Sequence, residues 1–257
     1  MTTDIFGTYA DYYDLLNSDK DYASETKYYE RIFSTFPNSI KSILEFGSGT
    51  GSHAIHLSKS GYKVTGVDLS NSMVRLANSK LQQAGVNKAD ATIIVDDIRT
   101  MNLTKTFDVV LSSFHVMSYL ITNQDLIKAF STAQRHLEVG GYFVFDFWYS
   151  PGVKNIGASS RTKTCSNGRI SITRTTEPVV IDKLNSVEVK YTFEVTDLHD
   201  ATVISFEEIH KMRHLDISEI SELSGDVFEI VNMFGDNTLE VPTQDTWSAL
   251  VVLKRIK

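Results

Sequence analysis

Three closely spaced glycines constrain this chain more than any other feature: Glu45-Phe46-Gly47-Ser48-Gly49-Thr50-Gly51-Ser52 lies between a short apolar run and a helical pattern. Ser42–Phe46 reads as a strand. Ser52–Ser60 reads as a helix, with Ala54, Ile55 and Leu57 at helical spacing before a stop at Gly61. Glycines at such a junction permit a tight turn and let the backbone come within contact distance of a ligand, where the first helix amides donate hydrogen bonds. Alone, such a turn is weak evidence, because ordinary strand-to-helix connections use it too.

The surrounding pattern repeats this alternation. Lys63–Val67, Thr92–Val95 and Phe107–Leu111 read as further strands, and Ser70–Ala84 (Met73, Leu76, Ala77, Leu81) and Gln124–Leu137 (Leu126, Ile127, Phe130, Ala133, Leu137) as helices between them. Strands alternating with helices imply βαβ units and a parallel sheet. After Gly140-Gly141, Tyr142–Trp148 is continuously apolar, as in a strand covered on both faces. From about Ser159 the texture changes. Ile170–Thr175, Val187–Thr196 and Val203–Lys211 alternate β-branched with polar residues, as in an antiparallel meander with one wet face. The end returns to the first style with a helix at Asp216–Leu223 and strands at Val227–Met233 and Thr246–Lys254. The expected division is residues 1–150 as a core with a helical lid at its start, 151–212 as an antiparallel β insertion, and 213–257 as the end of the core.

Spacing selects among nucleoside cofactors. The second strand ends in Gly66-Val67-Asp68, which sets a carboxylate at the carboxyl edge of the sheet beside the glycine loop, where it can accept from both ribose hydroxyls. A dinucleotide fingerprint needs G-x-G-x-x-G, but the sixth position from Gly47 is Ser52. Gly47, Gly49 and Gly51 satisfy G-x-G-x-G instead, so a nicotinamide oxidoreductase is the runner-up. At the third strand's end, Asp96-Asp97-Ile98 offers a carboxylate for an adenine amino group and an apolar side chain for the ring face. A solvated turn is the competing reading of that triplet.

The strings E-F-G-S-G-T-G, G-V-D-L-S, D-D-I and L-E-V-G-G-Y-F-V-F-D resemble the class I S-adenosylmethionine-dependent methyltransferases over most of Ser42–Trp148. The resemblance implies an α/β, Rossmann-like seven-stranded methyltransferase sheet whose last strand is antiparallel, here with a small antiparallel β insertion after the fifth strand. It implies S-adenosyl-L-methionine as cofactor, its methionine part held by Glu45 and the glycine loop, its ribose by Asp68 and its adenine by Asp97 with Ile98. The expected cofactor set is Tyr22, Glu45, Gly47, Ser48, Gly49, Gly51, Asp68, Leu69, Met73, Asp96, Asp97, Ile98 and Ser112. A patchier similarity, through Tyr12-Tyr13-Asp14-Leu15, Lys20-Asp21-Tyr22 and the β-rich insertion, is to the N-methyltransferases that dimethylate nucleotide-linked amino sugars. It implies that Tyr13 and the position of Tyr119 approach the acceptor amine. That family has a His where this chain has Tyr119, and His115 lies four residues earlier.

Methyl transfer from a sulfonium is an in-line displacement that needs neither metal nor covalent nucleophile. Holding the acceptor lone pair behind the methyl supplies much of the catalysis. An amine must be unprotonated to attack, and Tyr13, Tyr119, His115 and Asp146 are the candidates to orient it or take its proton. For each of the four, a packing or surface role is at least as common. Trp148 and Tyr149 wall the acceptor pocket or fill the join to the insertion. The other histidines, including His53, His199, His210 and His214, read as surface or packing residues.

The remaining features narrow the partners. A formal charge of −7 over 257 residues lacks the basic face a nucleic-acid binder needs, and Ser112-Ser113-Phe114-His115 stands where amino-directed nucleic-acid methyltransferases carry Asn/Asp-Pro-Pro-aromatic. Cys165 is the only cysteine, so neither an intrachain disulfide nor a multi-cysteine metal site can form. With an acidic, aromatic start and no apolar run near the ~18 residues of a membrane span, a cytoplasmic location without a membrane partner is expected. The leading expectation is therefore methylation of a small-molecule acceptor, with the nitrogen of a nucleotide-sugar first. O-methylation of another metabolite and a non-catalytic S-adenosylmethionine-binding module are the alternatives. A homodimer through the insertion fits the resemblance, although no residue demands it.

Overall fold

The computed structural model describes residues 6–235 and 237–257. Two helices come first, α1 (Ala10–Leu16) and α2 (Tyr22–Phe33), the second capped by Asp21, whose carboxylate accepts the Ser24 amide at 2.9 Å. The chain then alternates through β1 (Ser42–Phe46), α3 (Ser52–Lys59), β2 (Lys63–Asp68), α4 (Asn71–Gln83), β3 (Ala91–Val95), β4 (Phe107–Ser112), a single 3-10 turn at Val116–Tyr119, α5 (Asn123–Arg135) and β5 (Leu137–Tyr149). After α6 (Ser150–Ile156) come four long strands, β6 (Arg161–Ser166), β7 (Ile170–Ile181), β8 (Ser186–Asp197) and β9 (Val203–Leu215). Helix α7 (Ile217–Ser224) and strands β10 (Phe228–Gly235) and β11 (Ser248–Arg255) complete the order.

Seven strands form the core sheet in the order β3-β2-β1-β4-β5-β11-β10. β11 runs antiparallel to both its neighbours, and β1 to β5 are mutually parallel. β5 shows why the sheet is covered on both sides. Phe143, Phe145 and Phe147 point into one buried cluster with α5 and α7, while Tyr142 and Val144 point into the other with α2, α3 and α4. A strand buried on both faces reads as one continuous apolar run, and the run 142–148 does. Phe36 stacks on Tyr142 with ring centroids 3.7 Å apart, closing that layer from the segment after α2.

The second sheet is an antiparallel meander, β9-β8-β7-β6, whose strand pairing with the first, among the described residues, is that of Trp148 and Tyr149 with His214 and Leu215. Helix α1 packs on this meander rather than on the core: Tyr9 and Leu16 bury with Ile172, Phe193 and Val195. Pro178 sits mid-strand in β7 yet beyond Thr176, where the pairing with β6 ends, so its missing N–H faces no ladder partner on that side. Among the described residues no helix is long and apolar enough to cross a membrane.

Two expectations need correction, and one open alternative is decided. Leu137 does not end a helix: it is fully buried and opens β5, with Gly140 at φ +93 in the irregularity between Phe107 and Val109 of β4. The meander has four strands rather than three, because β6 carries Arg161, Thr162, Lys163 and Thr164 on an edge too polar to register as a strand. Trp148 packs edge-on against Trp247 (5.4 Å) beside Val153 and Val187, so it fills the join to the meander.

Phe145→Ala would empty a site that is 0% exposed and touches Phe130, Phe143 and Phe147. It should lower unfolding stability in urea by about 3–5 kcal/mol. A loss below 1 kcal/mol would show that the core does not centre on this strand.

Candidate active site

The loop between β1 and α3 is built from left-handed glycines. Gly47, Gly49 and Gly51 have φ of +67, +52 and +75, values that residues with a Cβ rarely adopt. At Gly47 the restriction is double, since a Cβ would stand 2.4 Å from the side chain of Val116. Thus the 3-10 turn after β4 lies directly on the glycine loop. Over Gly49, nothing lies within 4 Å of where a Cβ would be.

Asp68 ties this loop to the sheet edge. Its Oδ2 accepts the Gly49 amide at 2.8 Å and its Oδ1 the Ser70 amide at 2.9 Å, while the Ser48 amide donates to the Val67 carbonyl at 3.0 Å. Burial raises the Asp68 pKa, and the two amides oppose that shift. An ionised carboxylate has about four acceptor positions, so two remain after these bonds. Ser70 also caps α4 by accepting the Met73 amide; Met73 is buried, whereas Leu69 is exposed.

Glu45, at the end of β1, is 1% exposed, and its Oε2 has no hydrogen-bond partner. Burial pushes its pKa up to about 7, against the pull of the nearby His53 and Ser48. His53 Nδ1 lies 3.7 Å from Glu45, and its Nε2 is 2.7 Å from Glu25, which in turn binds Lys20 at 2.6 Å. His53 is therefore a buried link between the lid helix and the loop, a role its sequence context did not suggest. Tyr22 lies half-buried with its ring 5.0 Å from the His53 ring. The hydroxyl of Ser112, at the neighbouring end of β4, is also buried without a partner.

Beyond β3, Asp96 accepts the Asp97 amide at 2.8 Å. Asp97 is gripped by the Arg99 guanidinium, whose Nη2 reaches Oδ2 at 2.6 Å and whose Nε reaches Oδ1 at 2.9 Å. This fork lowers the Asp97 pKa and keeps the carboxylate charged. Ile98 is half-buried against the core cluster that contains Phe46 and Val67.

The four candidates for the acceptor side fall into two pairs. Asp146 spends both oxygens on backbone, accepting the Phe114 amide at 2.9 Å and the His115 amide at 2.8 Å. Those two residues have φ of +66 and +65, so Asp146 holds a strained turn in place. His115 Nδ1 lies 3.9 Å from Asp146, and both residues line an open cleft of about 370 Å³ with Lys20, Glu25 and Tyr29 that does not reach Asp68 or the glycines. Tyr13 and Tyr119 form the other pair. Phe6 lies 6.0 Å from each, and Tyr9 is 5.6 Å from Tyr13, in an aromatic chamber roofed by β7, β8 and β9. Burial raises the pKa of both phenols well above their ordinary value. From β9, His210 reaches the Tyr119 hydroxyl at 2.8 Å.

The lid is fastened to the loop by charge. Lys80 of α4 donates to Asp14 at 2.8 Å, to Thr50 at 3.0 Å and to Ser52 at 2.9 Å, and Thr50 donates to Asp14 at 2.6 Å. Asp14 follows Tyr13, so this cluster fixes where the tyrosine stands. A nucleoside with an amino-acid tail suits such a site. The buried, unpartnered Glu45 oxygen calls for a cation, the glycine loop admits close backbone approach, and Asp68 retains acceptor capacity beside it.

Glu45 makes stability pH-dependent with a definite sign. Its folded pKa, about 7, exceeds its ordinary 4.5, so the folded state holds the proton to higher pH than the unfolded state does, and stability is lost as pH rises from about 4.5 to 7. Between pH 5 and pH 8 the ligand-free protein should lose on the order of 3 kcal/mol more stability than Glu45→Gln, read from urea unfolding curves. Parallel pH profiles would show that the carboxyl is ionised throughout.

Known proteins share this chain's sequence and fold. Residues 43–141 match the family described as a methyltransferase domain. The dTDP-3-amino-3,4,6-trideoxy-alpha-D-glucopyranose N,N-dimethyltransferase of Streptomyces venezuelae is 31% identical over 186 residues, 72% of this chain and 75% of that protein. The dTDP-4-amino-2,3,4,6-tetradeoxy-D-glucose N,N-dimethyltransferase of Saccharopolyspora spinosa is 27% identical over 76% of each chain. The crystal structure of Streptomyces venezuelae DesVI superposes with a TM-score of 0.80 at 24% identity, over 96% of this chain and 98% of that one, and so shares the fold. By its 31% identity to the Streptomyces venezuelae enzyme over three-quarters of that protein, and by the methyltransferase domain that it matches, this chain belongs to the S-adenosylmethionine-dependent methyltransferases.

Proposed function

We propose that this enzyme methylates the amine nitrogen of a nucleotide-linked amino sugar. The observation that carries the reading is the relationship to the Streptomyces venezuelae N,N-dimethyltransferase, which spans three-quarters of that protein. The cofactor supplies an electrophilic methyl group on a positively charged sulfur. Asp68 would hold the ribose hydroxyls on its two remaining acceptor positions, and Glu45 would hold the ammonium of the methionine tail beside Gly47, Gly49 and Gly51. Ser48, Ser112, Tyr22, Leu69 and Met73 would complete the walls. Asp97, kept ionised by Arg99, would accept from the adenine amino group with Asp96 beside it, and Ile98 would cover the ring.

On the acceptor side, Tyr13 and Tyr119 orient the amine from the aromatic chamber. A phenol oxygen accepts an N–H, so the pair can hold an amine nitrogen with its lone pair free to point at the methyl. Asp146 acts one step back, by holding the Phe114–His115 turn, and His115 closes the edge of the site. The division at residues 151–212 belongs to the same reading, with the β meander as the acceptor-side roof.

Incubation with methyl-labelled S-adenosylmethionine and a panel of thymidine-diphosphate amino sugars, matched by the corresponding hydroxyl sugars, is the test. Label should pass to the amines. Turnover confined to hydroxyl acceptors would remove the amine reading and leave O-methylation.

A further inference from the structure

The Tyr119 hydroxyl is 2.8 Å from His210 Nδ1, and His210 Nε2 is 3.0 Å from Glu208 Oε2. Glu208 and His210 lie two apart on β9 and so share one face of the strand, and the meander delivers both to the turn that follows β4. His210 is 1% exposed and Glu208 has a side-chain exposure of 12%, so the chain runs from a half-buried tyrosine through a buried imidazole to a carboxylate at the edge of solvent. Phe6, Tyr9 and Tyr191 enclose the imidazole at ring distances of 5.1, 6.1 and 4.8 Å, and the Phe6 amide also donates to Glu208 Oε2.

The chemistry of the three groups fixes the direction of the bonds. An ionised carboxylate only accepts, so His210 carries its proton on Nε2, facing Glu208. That leaves Nδ1 as a lone pair, and the Tyr119 O–H must donate to it. The phenol's hydrogen is thereby turned away from the acceptor side, and its oxygen lone pairs are what it offers an incoming N–H.

We infer that His210 and Glu208 are positioning residues that make Tyr119 a hydrogen-bond acceptor and a proton conduit for the substrate amine, an inference that rests on Tyr119 facing that amine. In the step, an N–H proton of the substrate ammonium passes to the Tyr119 oxygen while the Tyr119 hydroxyl proton passes to His210 Nδ1. The nitrogen is left with its lone pair, the phenol is restored, and the imidazolium lies against the Glu208 carboxylate. The proton leaves to water from the exposed side of Glu208. Burial supports the assignment, because it holds Tyr119 in the protonated form and disfavours a lasting phenolate. The charged groups facing this chain from neighbouring elements are Glu208 itself and Arg174 of β7, whose guanidinium lies over the Tyr191 ring at 5.1 Å and donates to Tyr9.

The decisive substitution is Glu208→Gln. A glutamine oxygen can still accept from the Phe6 amide and from Nε2, but without the carboxylate charge it no longer stabilises the imidazolium that the relay passes through. In wild type the imidazole ¹⁵N shifts should report a protonated Nε2 and a bare Nδ1. On a thymidine-diphosphate amino sugar, Glu208→Gln should lower kcat at least tenfold, change KM for the cofactor less than twofold and displace the acidic limb of the kcat/KM profile. Adding Glu208→Gln to Tyr119→Phe should cost nothing further. A wild-type imidazole protonated on Nδ1, a kcat within twofold of wild type, or additive losses in the double variant would overturn the relay. Absence of wild-type turnover on every amine counts against the amino-sugar reading instead, and the tautomer then decides the relay by itself.

Discussion

The Asp68 carboxylate holds this site together by accepting one backbone N–H from the glycine loop and one from the turn into α4. Three left-handed residues in five have little conformational preference of their own, and a carboxylate at the strand end is what sets them in one arrangement. The interaction does double duty, because the oxygens that order the loop are also the acceptors nearest to where a nucleoside sugar would lie. Each bond satisfies a backbone donor that burial would otherwise leave unpaired, a cost of ~1–3 kcal/mol per group.

Around that anchor the molecule spends charge on the lid. Lys80 draws Asp14, Thr50 and Ser52 together, and Lys20, Glu25 and His53 run from α2 toward Glu45, so both helices that precede the core are fastened to the glycine loop. The meander answers from the other side with aromatic surface: Tyr9 packs the start of α1 against Tyr191 and Phe193 of β8, and β9 brings His210 to Tyr119. The acceptor side proposed above draws on α1, the turn after β4 and the distant β meander, whereas the proposed cofactor side draws on the successive strand ends of the core.

That asymmetry explains what could be read in the sequence. The core strands and the helices that cover them were legible because burial on both faces writes uninterrupted apolar runs, and Ser42–Phe46 begins and ends where the pattern says. The glycine loop and its tie to Asp68 were legible because the turn needs backbone freedom and the carboxylate stands at a fixed spacing from it. β6 was not, since an edge strand carrying Arg161 and Lys163 has no apolar alternation to show. His210 was half-legible: F-E-E-I-H sets Glu208 and His210 on one strand face, but Tyr119 lies 91 positions away and only the fold brings it near. Asp146 was marked as chemical, whereas its two backbone bonds assign it first to holding the turn after β4. Nothing local in a sequence separates a carboxylate that meets substrate from one that props the loop which does.

The central claim is that the glycine loop and Asp68 form one cofactor-binding unit. Isothermal titration of S-adenosylmethionine into wild type and Asp68→Ala measures it directly. Wild type should bind, and the variant, with the Gly49 amide released and the ribose acceptors gone, should bind at least a hundredfold more weakly while unfolding as a single cooperative unit. Equal affinity in the two proteins would contradict the account.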